Sequence, residues 1–298
     1  LADKLQAQLG SLFNAAADAL LQTAPLDLRV NTMATKRDAV LKALAQQGIA
    51  AHATPYSPWG IRLQGKPHIG QLPAYRQGQI EVQDEGSQLL ALLLDAKRND
   101  IVVDFCAGAG GKTLALGAMM RGAGRLYAFD ASAHRLQGLQ PRLARSGLGN
   151  VHTAAIAHER DARLNALQGK ADAVLVDAPC SGLGTLRRAP GLKWRTRPED
   201  IARLAEQQFS ITQSAARLVK PDRRLVYATC SLLPQENEAM AQALSNALPG
   251  FAPLHAGDVL AAAKVPQAAR LTTEAGHLRL WPHLHGTDGF FAAVWQRR

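Results

Sequence analysis

The chain has 298 residues, 47% of them hydrophobic, which is enough to bury one large domain and a smaller one. No apolar run approaches the roughly 20 residues of a membrane-spanning helix, and we expect a cytoplasmic protein. The 34 lysine and arginine residues exceed the 24 acidic residues and give a net charge of +10. Such an excess favours a polyanionic partner such as nucleic acid, although charge alone leaves this open.

The first part of the chain predicts a small α/β module, to which we assign residues 1–78. Apolar residues at helical spacing over residues 1–22 predict an amphipathic helix that ends near Pro25. The basic side chains of this module would contact RNA phosphate or simply face solvent. Four further elements follow in the order β-α-β-β, at 27–32, 36–47, 49–54 and 60–63.

The remainder, residues 79–298, shows strands alternating with helices, which predicts an α/β domain with a doubly wound, mostly parallel sheet. A helix over 81–95 leads into it, and 278–281 with 290–295 predict an antiparallel hairpin at the sheet edge. The alternating strand candidates are 101–105, 125–129, 151–156, 173–176 and 224–228. The helical segments between them are 113–120, 132–146 and 198–219.

Two of these apolar strands lead into a turn that contains cysteine. Val-Leu-Val-Asp-Ala-Pro-Cys-Ser-Gly occupies 174–182, and Leu-Val-Tyr-Ala-Thr-Cys-Ser occupies 225–231. Ligands bind at the carboxyl ends of strands in open α/β sheets, so Cys180 and Cys230 are predicted to lie at one rim. The three cysteines have neither disulfide nor CxxC spacing, and the histidines lack suitably spaced partners. We therefore expect free thiols and no bound metal.

A glycine-rich loop, Cys-Ala-Gly-Ala-Gly-Gly-Lys-Thr, follows the strand that begins at Ile101. A Walker loop would need glycine at Cys106, and a dinucleotide fingerprint would need it at Thr113, so both motifs fail. Asp130, at the end of the next strand, can accept both ribose hydroxyls of a nucleoside. Loop and acid together favour adenosine without a pyrophosphate, as in S-adenosylmethionine. The alternatives are that the glycines serve packing and that Asp130 caps the helix at Ser132.

With this loop, the Asp-Ala-Pro-Cys-Ser-Gly stretch and the Thr-Cys-Ser stretch in the same order, the chain resembles the RNA 5-methylcytosine methyltransferases of the bacterial Sun and eukaryotic nucleolar Nop2 family. The resemblance covers about residues 27–298 and includes 187–194 and 288–291. It implies a Rossmann-like methyltransferase domain preceded by an RNA-recognition-like module. It also implies S-adenosylmethionine as the methyl donor and RNA as the partner, with rRNA as the favoured substrate. We expect the protein to be a monomer.

The resemblance further implies which residues bind the methyl donor. The family has a further acid after the fourth strand. Counting back from Asp177 by the family's usual interval ends nearer His158, so the assignment to Asp161 assumes a shortened connection. Ala109 replaces a proline that is common in the family, and Cys106 is interpreted as a small buried residue whose backbone lines the cofactor. The full set of implied cofactor residues is Cys106, Ala107, Gly108, Ala109, Gly110, Gly111, Lys112, Asp130, Asp161 and Asp177.

C5 of cytosine is a poor nucleophile, so an enzyme first adds a thiolate to C6. By the resemblance Cys230 is this nucleophile, and Cys180 assists its release or the removal of the C5 proton. Asp177 is expected to hydrogen-bond the pyrimidine edge, with Lys112 orienting it or the base. The target cytosine must be single-stranded or flipped out of a helix.

Two other functions are alternatives to cytosine methylation. A non-catalytic RNA-binding or ribosome-assembly factor could retain the fold, but the presence of both thiols and of Asp177 argues against lost activity. A nucleotide-dependent oxidoreductase would instead bind a nicotinamide cofactor.

A basic cluster follows Cys180 and consists of Arg187, Arg188, Lys193 and Arg195. Its position favours contact with RNA phosphate, with a solvated surface as the alternative. Trp194 lies within the cluster and could stack on a base, but packing in the core is the favoured interpretation.

Overall fold

The structure is a computed structural model that describes residues 2–298, and it begins with two short helices. The predicted single helix is wrong: α1 (Ala2–Leu9) and α2 (Phe13–Leu21) are separated by a 3-10 turn at Gly10–Leu12. Gly10 has a φ of +52°, which interrupts the α-helical hydrogen bonds. Leu5 and Leu20 of these helices pack in a buried cluster with Leu183, Leu186, Ile201, Leu232, Leu233 and Trp281.

A small antiparallel sheet follows these helices. Its four strands lie in the order β2-β3-β1-β4, and α3 packs Val40 and Leu44 against it. The β-α-β-β order is confirmed, with one more strand beyond residue 78, so the domain boundary stays a proposal. The elements are β1 (Leu26–Val30), α3 (Arg37–Gln46), β2 (Ala51–Ala53), β3 (Gly60–Leu63), α4 (Pro73–Arg76) and β4 (Ile80–Val82).

The rest of the chain forms an eight-stranded sheet. Five strands run parallel in the order β9-β8-β5-β6-β7, and β12 continues the sheet antiparallel to β9. The predicted doubly wound, mostly parallel sheet is confirmed. Its strands are β5 (Ile101–Asp104), β6 (Arg125–Asp130), β7 (Val151–Ala155), β8 (Ala171–Asp177), β9 (Val219–Thr229), β10 (Phe251–Leu254), β11 (Leu278–Leu280) and β12 (Phe290–Arg297).

Helices cover both faces of this sheet because both faces are apolar. Val102 and Leu175 pack in one buried cluster with α5 and α6, whereas Val103 and Val174 pack in the other with α9 and α10. The helices are α5 (Glu85–Leu93), α6 (Gly111–Met119), α7 (Ala133–Ser146), α8 (Leu192–Arg195), α9 (Pro198–Ala216), α10 (Glu238–Ala247), α11 (Ala256–Ala262) and α12 (Pro282–His285).

The carboxyl-terminal hairpin of β11 and β12 is antiparallel and lies at the edge of the sheet, as predicted. Strand β12 pairs with β9 on one side; on its other side β11 pairs with its first part and β10 with its last part, so β10 and β11 together form the outer edge. Phe291 and Trp295 of β12 are buried. Within residues 2–298, no helix has the length and apolar character needed to cross a bilayer.

Candidate active site

The carboxyl ends of β5, β6, β8 and β9 surround a cavity of about 690 Å³. This volume is in the range of pockets that hold a cofactor or drug-sized ligand. Residues predicted from four separate stretches of sequence meet on its walls. They are Cys106, Ala107, Gly108, Ala109, Gly111, Lys112, Asp130, Asp177, Cys180 and Cys230.

The glycine loop after β5 has the backbone that the sequence predicts for close approach to a ligand. Gly108 and Gly110 have φ values of +56° and +82°, a region that favours glycine. A Cβ on Gly110 would lie 2.1 Å from Cδ1 of Leu139, so α7 packs directly on the loop. Gly108 has open space there, and its N–H donates to Oδ2 of Asp130 at 2.8 Å. Gly110 therefore packs against α7, while Gly108 faces open space.

Asp130 joins the loop to the start of α7. Its Oδ1 accepts a hydrogen bond from the Ser132 N–H at 2.8 Å, which is a capping contact, while Oδ2 accepts from Gly108. Each carboxylate oxygen can accept further bonds, so this capping contact leaves capacity for a ribose hydroxyl. The Ser132 side chain caps α7 itself by accepting from the N–H of Arg135.

Asp104 supplies a second acid on the cavity wall. Its Oδ2 accepts from the Thr113 hydroxyl at 2.7 Å, whereas the buried Oδ1 has no partner among residues 2–298. Burial raises the pKa of Asp104 to about 7, opposed by the Thr113 hydrogen bond and assisted by the charge of Asp177. A buried polar atom without a partner, beside a glycine loop, fits a polar ligand such as an adenosine cofactor.

The sulfur atoms of Cys180 and Cys230 lie 3.4 Å apart, at the ends of neighbouring parallel strands. Both line the cavity and are free thiols. The hydrogen bond with Cys230 and burial raise the pKa of the Cys180 thiol well above its usual value, and the charge of Glu236 adds to this. Cys180 is therefore held as the neutral thiol beside Cys230.

Lys112 and Asp177 form an ion pair on the same wall, with Nζ 2.6 Å from Oδ2. Burial opposes the charge of Lys112, but Asp177 outweighs it, and the pKa of Lys112 is raised. The ammonium also lies 5.9 Å from the centroid of the Phe290 ring. Lys112 consequently remains charged and holds the Asp177 carboxylate at the edge of the cavity.

Arg187 and Arg188, which the sequence predicts to contact RNA phosphate, form ion pairs with carboxylates of this chain. Arg187 Nε lies 2.7 Å from Oδ1 of Asp288, and the arginine side chain is only 6% exposed. Arg188 pairs with Asp288 and with Asp84, the latter at 2.9 Å. The buried pair of Arg187 argues against contact of this residue with phosphate. Arg188 is exposed, with 34% of its side chain accessible, so a phosphate contact of this residue stays a prediction.

The other half of the basic cluster lies on the short helix α8. Lys193 and Arg195 are exposed, and Trp194 is 81% exposed, so the expected core packing of Trp194 is wrong. Lys193 Nζ lies 5.2 Å from the centroid of the Trp194 ring. A Cβ on Gly182, two residues after Cys180, would lie 3.3 Å from Leu192 Cδ1, which places α8 against the turn that carries Cys180.

The position of Asp161 does not support the predicted cofactor contact. Its carboxylate caps the 3-10 turn at Ala162–Leu167 by accepting from the Arg163 N–H, and it also accepts from the Ala157 N–H. The ion pair with Arg163, at 2.7 Å, lowers its pKa. Asp161 is absent from the cavity lining. Across residues 2–298, no group of three or more His, Cys, Asp or Glu side chains could hold a metal ion.

Sequence reasoning missed Glu236, a buried acid that hydrogen-bonds to the residues following both cysteines. Its only signal in the sequence is an acid six positions after Cys230, in Leu-Leu-Pro-Gln-Glu. That spacing matches none of the catalytic or ligand-binding motifs that the sequence contains.

A doubly wound sheet with a glycine loop after its first strand, an acid after its second and the antiparallel strand β12 inserted beside β9 is the Rossmann-like fold of methyltransferases. The family model described as 16S rRNA methyltransferase RsmB/F matches residues 91–296, and the RsmF/B-like ferredoxin-like domain model matches residues 1–69. The chain belongs to the RsmB/F methyltransferase family. The family resemblance stated from the sequence is confirmed.

Three proteins illustrate what the chain is similar to. A probable ribosomal RNA small subunit methyltransferase B of Bacillus subtilis is 34% identical, over 91% of this chain and 59% of the relative. A methyltransferase homolog from Pyrococcus horikoshii is 28% identical, with a TM-score of 0.82 over 99% of this chain and 94% of that one. NSun6 from Pyrococcus horikoshii with SFG, 20% identical, shares the fold with a TM-score of 0.84, over 100% of this chain and 97% of that one. The chain spans half to three fifths of the length of the curated relatives it matches.

Proposed function

We propose that this protein uses S-adenosylmethionine to methylate C5 of a cytosine in RNA, with rRNA as the favoured substrate. The observation that carries the proposal is the pair of thiols 3.4 Å apart, on the same cavity as the glycine loop. Methyl transfer to an already nucleophilic atom needs no thiol, whereas methylation of C5 needs a nucleophile that adds to the pyrimidine and a second group that assists its release. Membership in an rRNA methyltransferase family supports the substrate class.

The cavity fits S-adenosylmethionine, which supplies an electrophilic methyl group when bound. The Asp130 carboxylate has acceptor capacity for the ribose hydroxyls. Asp104 offers an unpartnered oxygen, and the glycine loop exposes backbone at Gly108. A structure of NSun6 with SFG belongs to a protein of the same fold, which is consistent with this placement.

Cys230 acts on the base. Its thiolate forms a bond to C6, and the electron pair of the 5,6 double bond moves to C5, which then takes up the methyl group. A base then removes the C5 proton, the electron pair of the C5–H bond re-forms the 5,6 double bond, and the C6–S bond breaks so that its pair leaves with the Cys230 sulfur as a thiolate. Cys180, held neutral 3.4 Å away, donates a hydrogen bond to the departing sulfur.

Asp177 and Lys112 orient the pyrimidine during this sequence. The Asp177 carboxylate accepts a hydrogen bond from the pyrimidine edge and favours its protonated form. Protonation of that edge draws electron density away from C6 and favours the attack by Cys230. Lys112 keeps that carboxylate in place through the 2.6 Å ion pair.

Nucleoside analysis tests the proposal. The protein is incubated with unmodified ribosomal RNA or total cellular RNA and methyl-labelled S-adenosylmethionine, and the RNA is digested to nucleosides. We expect labelled 5-methylcytidine with the wild-type protein and none with Cys230→Ala. Label in another nucleoside, or no label with either RNA, would contradict the proposal. Calorimetry that finds binding of a nicotinamide cofactor in preference to S-adenosylmethionine would favour the oxidoreductase.

A further inference from the structure

A buried carboxylate, Glu236, joins the two turns that carry the cysteines. It lies 0% exposed in the 3-10 turn Pro234–Glu236. Its Oε1 accepts from the N–H of Ser181 at 2.8 Å, and its Oε2 accepts from the hydroxyls of Ser181, at 2.5 Å, and Ser231. Ser181 directly follows Cys180, and Ser231 directly follows Cys230. One carboxylate therefore holds both turns.

Other buried groups fix Glu236 from the opposite side. Gln208 Nε2 donates to Oε1 of Glu236 at 2.9 Å and to the carbonyl of Pro179, also at 2.9 Å. The Tyr227 hydroxyl donates to the Glu236 backbone carbonyl at 2.6 Å. Because these groups are buried, each lost bond would leave an unpaired polar group in the interior. The carboxylate is consequently a rigid reference point for both turns.

We propose that Glu236 is a positioning residue that sets the separation between the sulfur atoms of Cys180 and Cys230. It is absent from the cavity lining, so its effect passes through Ser181 and Ser231. The inference rests on the proposed function in one respect, since it takes these two thiols as the reacting pair.

The charge of Glu236 has a second effect at the same place. After the Cys230 hydrogen bond and burial, it is a further cause of the raised pKa of Cys180. Two thiolates at 3.4 Å would repel each other, and a nearby carboxylate makes a second ionisation still less favourable. Glu236 thus helps keep Cys180 neutral while Cys230 reacts.

A trivalent arsenical measures the sulfur separation without any methylation. Phenylarsine oxide condenses with two neighbouring thiols to form two As–S bonds and releases one water, so its affinity depends on their geometry. We expect the wild-type protein to bind it through Cys180 and Cys230, as peptide mapping would show. Glu236→Gln, which removes the charge at constant size, should bind it about tenfold or more weakly.

Kinetics give a second measure of the same property. A displacement of about 1 Å at a reacting group can cost on the order of 100-fold in rate, so kcat of Glu236→Gln should fall roughly 10- to 100-fold. KM for S-adenosylmethionine should change less than about twofold, because the glycine loop is untouched.

Glu85→Gln is the matched control. Glu85 is also buried and accepts from the backbone N–H groups of Tyr56 and Ser57, away from the cysteine turns. This variant should lose stability yet keep the wild-type arsenical affinity and, in its folded temperature range, the wild-type kcat.

Two milder variants keep the test decisive if Glu236→Gln fails to fold. Ser181→Ala and Ser231→Ala each remove one hydroxyl donor, and both should weaken arsenical binding, with a less than additive effect in the double variant. Wild-type arsenical affinity and kcat in folded Glu236→Gln, or in both serine variants, would overturn the inference. Loss of arsenical binding alongside a wild-type protein that makes no 5-methylcytidine would refute the proposed function and leave the positioning role standing.

Discussion

Cys180 and Cys230 occupy equivalent places at the ends of adjacent parallel strands, yet their surroundings differ. Cys180 is next to the Glu236 carboxylate network, whose charge adds to the burial and hydrogen bonding that raise its pKa. The charge of Cys230 also contributes to the raised pKa of Lys112, which pairs with Asp177 across the cavity. These different surroundings are what the proposed function needs if two cysteines in equivalent places are to have different chemical roles.

Asp104 gives a pH-dependent prediction at the residue scale. Its pKa rises from 3.8 to about 7 on folding, through burial opposed by Thr113 and Lys112 and assisted by Asp177 and Asp130. The folded state thus holds the proton longer than the unfolded state, so this stability is present below about pH 4 and is lost as the pH rises through about 7.

Asp104→Asn carries no charge at any pH. Without cofactor, its unfolding free energy relative to wild type should improve by about 2–4 kcal/mol between pH 4.5 and pH 8. Urea titrations of both proteins across that range provide the measurement. Parallel pH profiles would show that Asp104 does not titrate there.

Two glycines of the glycine loop have similar backbone conformations but different surroundings. Gly108 and Gly110 both have positive φ, so alanine is strained at either place. Only Gly110 has no room for a Cβ, because Leu139 of α7 packs against it. The sequence identifies the loop, but the neighbour that restricts Gly110 comes from an element 29 residues later.

Gly110→Ala should destabilise the protein by about 1–3 kcal/mol more than Gly108→Ala, because it adds steric overlap to a similar backbone strain. It should also weaken the binding of S-adenosylmethionine, since the displaced segment forms the start of α6. Urea unfolding and calorimetry give the two quantities. Equal losses in the two variants would mean that α7 yields freely to the added methyl group.

Local patterns were sufficient to predict the alternating strands, the β11–β12 hairpin and the convergence of Cys180 and Cys230 at one rim. Contacts between distant parts of the chain were not predictable in this way. Trp194 is apolar, yet it lies on the exposed face of α8, and Arg187 is basic, yet it is buried with Asp288. Both outcomes depend on tertiary partners rather than on local residue type.

At the scale of the whole molecule, Glu81 connects the small sheet to the cofactor loop. Its carboxylate on β4 pairs with Arg142, at 3.0 Å, and with Arg145 of α7. Arg142 Nη1 in turn donates to the carbonyl of Ala109 at 2.5 Å. Arg145 also lies over the Tyr75 ring, 4.1 Å from its centroid. The two parts of the chain therefore share a partly buried ionic junction.

Glu81→Gln should cost about 3 kcal/mol of stability, because it leaves two partly buried arginines without their carboxylate. It should also weaken binding of S-adenosylmethionine through Ala109. Lys97→Gln, which breaks an exposed pair with Asp95, is the control and should cost less than about 1 kcal/mol. Chemical denaturation and calorimetry report both effects. A Glu81→Gln loss no larger than that of the control would contradict the junction.

The exposed aromatic side chain of Trp194 lies on α8, between the basic residues Lys193 and Arg195. We expect it to stack on an RNA base, so Trp194→Ala should weaken RNA binding by about 1–3 kcal/mol at fixed salt, and Trp194→Phe by less. Affinity for S-adenosylmethionine should stay unchanged. Filter binding with Leu284→Ala, another exposed apolar side chain, is the control. Unchanged RNA affinity in Trp194→Ala would exclude stacking.

The most direct test of the covalent mechanism compares two cysteine variants in the presence of RNA and S-adenosylmethionine. With Cys180→Ala, release of the base is impaired, so a protein–RNA adduct that survives denaturation should accumulate. Peptide mass spectrometry should locate the nucleotide on Cys230, and Cys230→Ala should form no adduct. An adduct that accumulates in Cys230→Ala, with the nucleotide on Cys180, would reverse the two roles, and no adduct in either variant would contradict the covalent mechanism.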